Sequence, residues 1–394
     1  MNILFVLYHD FTANSAGHVR SLANELVKLG NDCCVAVPSN KASVSSLGNV
    51  LFRPLEFEEA FATGFGFLNG RGPDVVHAWT PREGVRRFCD RVREGSACRL
   101  FVHMEDNEWH LVRCAFGQSF ETLALLDEDE MDRRLPDSLA HPHRAMEFLK
   151  AADGVTVIID RLREILPPVR ATLELWPSAD EELFTRQANH PFERSMLGIA
   201  KNSTVVVYTG NVHGANGHDV RSLYLAIAIL NREGFPATLV RTGRDFVSFL
   251  GPEETWARQH SIELGLVDRA QLPSLLAMAD VLVQPGKSDT FNDYRFPSKL
   301  PEFFSAGRPV ILPNTNVAVY MTAGRHGFIL PESNAVAIAD AIREIMSDPE
   351  LYQRLAAGAL EFFRERFNWA DSARKLNEFY ASAEPSLKAA HCAA

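Results

Sequence analysis

No stretch of this sequence approaches the roughly 18 to 20 consecutive apolar residues that span a bilayer. The opening Met1-Asn2-Ile3-Leu4 lacks the basic cluster that begins a signal peptide, so a soluble, cytoplasmic protein is expected. Basic charge is short as well. The 40 Lys+Arg stand against 50 Asp+Glu, a formal net charge of -10, which argues against bulk electrostatic binding to nucleic acid. Cysteine is sparse, and the six present (Cys33, Cys34, Cys89, Cys98, Cys114 and Cys392) show neither a CxxC pair nor a His/Cys ligand spacing. A disulfide framework and a structural metal therefore have no support, reduced thiols are expected, and no cofactor is called for. Low-complexity tracts are missing, which sets aside wholesale disorder, and the first turn has no GxGxxG, which sets aside a dinucleotide dehydrogenase.

What is present is 394 residues, 46% hydrophobic and 23% charged, enough for two domains with ordinary cores. The run Ile3-Leu4-Phe5-Val6-Leu7-Tyr8 is continuously apolar, as a parallel strand buried on both faces requires. After a turn at Ser15-Ala16-Gly17, residues Val19, Leu22, Ala23, Leu26 and Val27 recur at helical spacing. Gly30 then stops the helix and Cys34-Val35-Ala36-Val37 resumes a strand. Further strand-like runs at residues 74–77, 100–103 and 155–159 predict a doubly wound first half. The pattern restarts with Thr204-Val205-Val206-Val207-Tyr208, a turn at Gly210 and a helix over 221–230, followed by strands at 237–240, 281–283 and 309–312. Pro177, Asp180-Glu181-Glu182 and Pro191 interrupt the alternation. The predicted architecture is α/β: two Rossmann-like doubly wound domains facing each other across a cleft. They span 1–175 and 195–366, with a linker at 176–194 and a C-terminal helix in 367–394 returning to the first domain. The acidic stretch 126–134 reads as a solvated surface helix or loop.

The segment with most chemical content runs from Phe296 to Val310. Pro297 and Ser298 suit a helix start, Phe303 and Phe304 can face the core, and Gly307 ends the helix before the next strand. Unpaired N–H groups at such a helix tip, together with the charge of Lys299, make a seat for a diphosphate. Glu302, one turn further in, is placed to accept from both hydroxyls of a ribose. The competing reading is an ordinary crossover helix with a surface Lys-Glu pair. A second basic feature is the stretch 82–93, where Val85, Phe88, Cys89 and Val92 form an apolar stripe with Arg86, Arg87, Arg91 and Arg93 on other faces. It reads as a solvated amphipathic helix, or as a basic patch for peripheral contact with anionic lipid or a phosphate-bearing acceptor.

Several segments then fall in one order: Ser15-Ala16-Gly17-His18, Trp176-Pro177-Ser178-Ala179-Asp180 with Leu183-Phe184, Leu264-Gly265-Leu266-Val267, Leu272-Pro273, residues 279–283, residues 297–310 and the closing Phe367-Asn368-Trp369. Together they resemble a glycosyltransferase of the GT-B architecture, in the large retaining family that uses nucleotide sugars (family 4, glycosyl transferases group 1). The resemblance implies metal-independent transfer of a sugar, with retention, from a nucleoside diphosphate sugar of UDP or GDP type to a hydroxyl of a glycan, lipid-linked or protein acceptor. It places Glu302 at the ribose, Ser298 and Lys299 at the diphosphate, the backbone around Gly265-Leu266 at the base, and Gly17 near the phosphates. The family's first glutamate lies eight positions before the second; 302 − 8 = 294 is Tyr294 here, with Asn292 and Asp293 beside it to take over hydroxyl recognition. Where the family carries an arginine and a lysine after Gly210, this chain has Asn211 and Asn216, so the leaving charge is expected to rest on Lys299, helped by Arg241 or Arg244. In the first domain Glu105 takes the slot of a family histidine, to orient or deprotonate the acceptor. His103, Asp106 and Glu108 are acceptor-binding candidates, the last two alternatively as caps of the helix near Trp109. Two other readings stay open: a nucleotide-sugar 2-epimerase of the same architecture, and a non-catalytic member acting as a binding or scaffold protein.

Overall fold

The computed structural model describes residues 1–180, 183–184 and 194–383; Glu181, Glu182, Pro191 and Cys392 lie outside them. The chain divides into two compact units. One comprises Met1–Pro177, the short segment Tyr294–Phe296 and the chain from Asn368, and the other comprises Ser178–Asp293 and Pro297–Phe367.

The first unit is built on seven strands: β1 (Asn2–Val6), β2 (Asp32–Val37), β3 (Arg53–Glu56), β4 (Val75–Trp79), β5 (Arg99–Met104), β6 (Gly154–Val157) and β7 (Thr172–Glu174). They are ordered β3-β2-β1-β4-β5-β6-β7 and every pair is parallel. Phe5 sits opposite both Val35 and His77, which makes β1 an interior strand. β1 and β4 are buried along their whole length, which is why their sequences are apolar without alternation. Helix Asn14–Lys28 covers one face through Val19, Leu22, Ala23 and Leu26. Residues 15–17, expected as a turn, are the first turn of this helix, and Gly17 has no left-handed backbone. Helix Trp369–Ser382, capped by Asn368, packs Trp369, Ala373, Leu376 and Tyr380 into the same core.

The second unit carries β8 (Thr204–Thr209), β9 (Ala237–Thr242), β10 (Ser261–Glu263), β11 (Val281–Val283), β12 (Val310–Pro313) and β13 (Phe328–Leu330), ordered β10-β9-β8-β11-β12-β13 and again parallel. Its core joins helix Gly217–Arg232 and helix Ala335–Ser347 to the sheet. Strand order reverses between β1 and β4 in one sheet and between β8 and β11 in the other. Crevices at the carboxyl ends of strands beside such reversals are where open α/β sheets hold ligands.

The acidic and the arginine-rich stretches are both helical. The acidic stretch forms helix Glu128–Arg134, capped by Asp127, but it buries Met131 against Val112, Phe120 and Leu123. Helix Glu83–Gly95 carries the arginines of the predicted patch, and three of the four are matched. Arg86 is held by Glu83 and Asp90, Arg87 pairs with Asp137, and Arg91 meets Glu58 while stacking on Phe61. The basic patch is therefore largely neutralised where it stands, and the solvated-helix reading holds. Cys33, Cys34, Cys89, Cys98 and Cys114 are free thiols, and burial pushes Cys33 up to about 12. Among the described residues no helix is long and apolar enough to cross a membrane, and no cluster of three or more His, Cys, Asp or Glu side chains forms a metal site.

Candidate functional site

In the second unit the candidate donor site gathers at the carboxyl ends of β8, β9 and β11. Strand β8 ends in Tyr208-Thr209-Gly210 and β9 in Thr242-Gly243; both glycines have left-handed backbone, at φ 136° and 109°. A Cβ on Gly243 would lie 2.3 Å from the carbonyl oxygen of Gly210, so the two turns touch backbone to backbone, a contact only glycine permits. Lys299 reaches into this corner. Its Nζ donates to Tyr208 Oη at 3.3 Å and to Gln284 Oε1 at 3.4 Å, and lies 4.6 Å from the Tyr208 ring centre. A Cβ on Gly210 would come within 3.0 Å of the Lys299 side chain. The ammonium is thus seated at the strand reversal between β8 and β11, held by weak, neutral acceptors that a diphosphate would replace with charge-assisted bonds.

The surrounding residues depart from the sequence picture in several ways. The helix expected from Pro297 begins at Leu300 and spans six residues, Leu300–Ser305, with Ser298 exposed in the turn before it. So short a helix contributes little dipole, and the positive charge rests on Lys299. Glu302 projects from this helix and meets Arg269 at 3.6 Å. Asn216 accepts from His213 N at 2.8 Å and donates to Asn211 O at 3.0 Å, and Asn211 Oδ1 accepts from Arg244 N at 2.8 Å. These two amides close the loop between β8 and helix Gly217–Arg232. Arg241, expected as a spare cation, is buried and paired with Asp245 and Glu263 beside Tyr224, so it is not available to a diphosphate. Arg244 is exposed. Asp293 is buried, accepting from Ser288 Oγ at 2.8 Å and from Thr315 Oγ1. Leu266 is 60% exposed beside Gly265, whose backbone is left-handed and whose carbonyl accepts from Gly243 N. Tyr294 groups with the first unit, where its hydroxyl donates to Glu164 at 3.0 Å.

In the first unit a second polar cluster forms at the carboxyl ends of β1, β4 and β5. Glu105, just past β5, accepts from Ser15 Oγ and from His18 Nδ1 at 3.1 Å, both on helix Asn14–Lys28. Burial pushes its carboxyl up, but His18, His103 and the Ser15 hydroxyl outweigh that and hold it at about 2. Glu108 is fully buried, its two oxygens accepting from Arg82 Nε at 3.0 and 3.2 Å, while the Arg82 guanidinium lies 3.8 Å over the Tyr8 ring. Such a group cannot bind an acceptor; Glu108 is an internal partner for Arg82. The helix cap is Asn107, which accepts from His110 N, rather than Asp106 or Glu108. Asp106 remains about one-third exposed, with Arg82 Nη2 at 3.8 Å. Burial, then the charges of Glu105 and Glu108, push its carboxyl up to about 7 against the pull of Arg82 and Arg295. Of the three carboxylates it alone is both accessible and proton-holding near neutrality, the combination that suits hydrogen bonding to a hydroxyl. His103 is buried on β5, stacked on Trp79 with ring centres 3.9 Å apart, and burial holds its imidazole down at about 3.

Sequence reasoning did not single out Tyr208, Gln284, Tyr8, Ser15, Arg82 or Thr80 as site residues. The available signal was positional: each follows or closes an apolar strand run beside a strand reversal. Thr80, immediately after β4, is a buried β-branched residue at φ 92°, a costly conformation of the kind that clusters at sites.

Residues 203–348 match the family described as "Glycosyl transferases group 1". A D-inositol 3-phosphate glycosyltransferase of Streptomyces avermitilis is 22% identical over 223 residues, 52% of this chain and 46% of that protein. The chain thus spans about half the length of the curated relatives it matches. Among solved structures, Anabaena HepE in complex with UDP and glucose superimposes with a TM-score of 0.70 at 15% identity, covering 97% of this chain and 100% of that one. The sucrose-phosphate synthase of Thermosynechococcus elongatus gives 0.64 at 15% identity, covering 97% and 98%. At these identities the likeness to solved structures shows the fold, which is GT-B.

Proposed function

We propose, for a GT-B chain whose residues 203–348 match the group 1 glycosyltransferases, the transfer of a sugar from a UDP-sugar to an acceptor hydroxyl, with retention and without a metal ion. The observation that carries this reading is Lys299 seated against Gly210 at the reversal between β8 and β11, inside the segment that matches the family. As a diphosphate leaves, its growing negative charge meets this preorganised ammonium and the N–H groups of the adjoining glycine turn. Glu302 releases Arg269 to take the ribose hydroxyls, and the backbone at Gly265-Leu266 lies against the base. Glu105, fixed by Ser15 and His18, orients the acceptor, with Asp106 as its accessible hydrogen-bonding neighbour. The uridine choice rests on the UDP bound in the HepE structure.

Titration calorimetry with UDP, GDP, ADP and dTDP, with and without divalent cation, tests this. Saturable binding of UDP is expected, weakened about 10- to 100-fold in Lys299→Met by loss of one charge-assisted contact. A folded protein that binds none of the four would overturn the reading in favour of a non-catalytic partner. That second reading has an observation behind it, the engagement of the Asn211 and Asn216 side chains by backbone of the turns after β9 and β8.

A further inference from the structure

A chain of buried hydrogen bonds runs through the first unit beneath the Glu105 cluster. Tyr380 Oη, on helix Trp369–Ser382, lies 2.6 Å from His77 Nδ1; His77 Nε2 lies 3.0 Å from Thr156 Oγ1; Thr156 Oγ1 lies 2.8 Å from His103 Nδ1. All four residues are at most 1% exposed, and His103 Nε2 has no partner. Burial keeps both imidazoles neutral, so each residue brings one mobile proton: four protons for three bonds.

Only three arrangements fill all three bonds. In the first, Tyr380 donates to His77, His77 Nε2–H donates to Thr156, and Thr156 donates to His103 Nδ1, which leaves the spare proton on His103 Nε2. In the second, every donor reverses and the spare proton is left on Tyr380. In the third, both imidazoles donate to Thr156 and its hydroxyl proton is left over. The second and third each strand a hydroxyl proton inside the core and also leave His103 Nε2 a bare lone pair, two unsatisfied groups in place of one. In the first the spare proton sits on an atom of a residue lining a small cavity. His18, Trp79 and Trp369 line it as well, and Trp79 Nε1 is a second buried donor without a partner.

We infer that Tyr380, His77 and Thr156 are positioning residues that hold His103 as a neutral imidazole with its proton on Nε2, offering a fixed donor to an oxygen in the cavity beside His18. Trp79, which also lines the cavity, stacks on the imidazole and fixes the plane of the ring. The cavity takes an acceptor of hydrogen bonds, a hydroxyl or a water, rather than a cation, since His103 and Trp79, each with a buried ring nitrogen that has no partner, line it and no carboxylate does. Calling that oxygen a sugar or acceptor hydroxyl rests on the glycosyl-transfer reading; the proton arrangement does not.

The test is the tautomer itself, read from long-range ¹H–¹⁵N spectra of protein labelled at histidine, with the His103 signals assigned from their loss in His103→Gln. In the unsubstituted protein His103 should show a pyrrole-type Nε2 and a pyridine-type Nδ1 at pH 7. Tyr380→Phe removes the donor that orders the chain, three hydrogen bonds away from His103, and a second His103 tautomer should appear. Thr156→Val, nearly isosteric, should produce the same change by removing the hydroxyl that donates to Nδ1, and it keeps the test open if Tyr380→Phe does not fold. A single pyrrole-type Nδ1 in the unsubstituted protein, or a His103 spectrum unmoved by the folded variants, would overturn the inference. Either result is independent of whether the protein binds UDP.

Discussion

At the residue scale, the three neighbouring acids Glu105, Asp106 and Glu108 look equivalent in sequence and differ threefold in chemistry. Glu105 is ionised and held by a hydroxyl and an imidazole, Glu108 is locked to Arg82, and Asp106 is open and proton-holding. The difference comes from register. Beyond β5 the chain turns into helix Glu108–Phe116, and one residue of offset decides whether a side chain meets helix Asn14–Lys28, the surface or Arg82. No spacing rule reads that from one sequence, because the partners are 24 to 90 positions away in the chain and their approach is set by packing. Glu108→Gln should therefore be a stability mutation. It leaves Arg82 buried without its counter-charge at a cost of about 3–5 kcal/mol, seen as a large fall in Tm. A fall of only a degree or two would mean that Arg82 finds another partner, with Asp106 the nearest.

At the element scale, the sequence was legible wherever burial dictated composition. The nine central strands announce themselves as apolar runs because both faces are covered. The four not read from sequence, β3, β7, β10 and β13, are the outermost strands of the two sheets; they have three or four residues each and are mostly half-buried. Glycines separate in the same way. Gly17 was expected to allow phosphate approach, yet it lies mid-turn in helix Asn14–Lys28, with open space where a Cβ would be. Gly17→Ala should stabilise the helix by about 0.5–1 kcal/mol, and an accompanying loss of transfer activity would mark that open space as occupied by substrate. Gly243→Ala should do the reverse. Its φ of 109° and the collision with the Gly210 carbonyl are expected to cost about 1–3 kcal/mol and to push the Gly210 turn away from Lys299, so that UDP affinity and Tm fall together. A Gly243→Ala protein with intact UDP affinity would show that the glycine contact serves the fold alone.

At the scale of the whole molecule, opposing proton equilibria in the first unit set how stability answers acid. His77 and His103 are held neutral by burial, His103 at about 3 against an ordinary 6.5, and His141 is shifted in the same direction. A depressed histidine binds its proton more readily when unfolded. Its contribution is complete above about pH 6.5 and is lost as pH falls from there through the folded value. Asp106 runs the other way. Raised to about 7 from an ordinary 3.8, it holds a proton in the folded state that it loses on unfolding, so stability falls as pH rises from about 4 through 7. Over the shared window Asp106 offsets part of the histidine effect, and the rise in Tm of the unsubstituted protein with pH should be shallower than the histidines alone would give. Asp106→Asn removes one side of this balance. The variant should match the unsubstituted protein near pH 4, exceed it increasingly up to about pH 7 and level off above that, the contributions of other titrating groups largely cancelling from the difference. One proton is worth at most about 1.4 kcal/mol per pH unit, and the partial exposure of Asp106 scales that down. Thermal melts of both proteins between pH 4 and pH 8 measure the difference directly. A constant offset across the range would mean that Asp106 is ionised throughout, and would transfer the role of accessible hydrogen-bond donor away from this carboxyl.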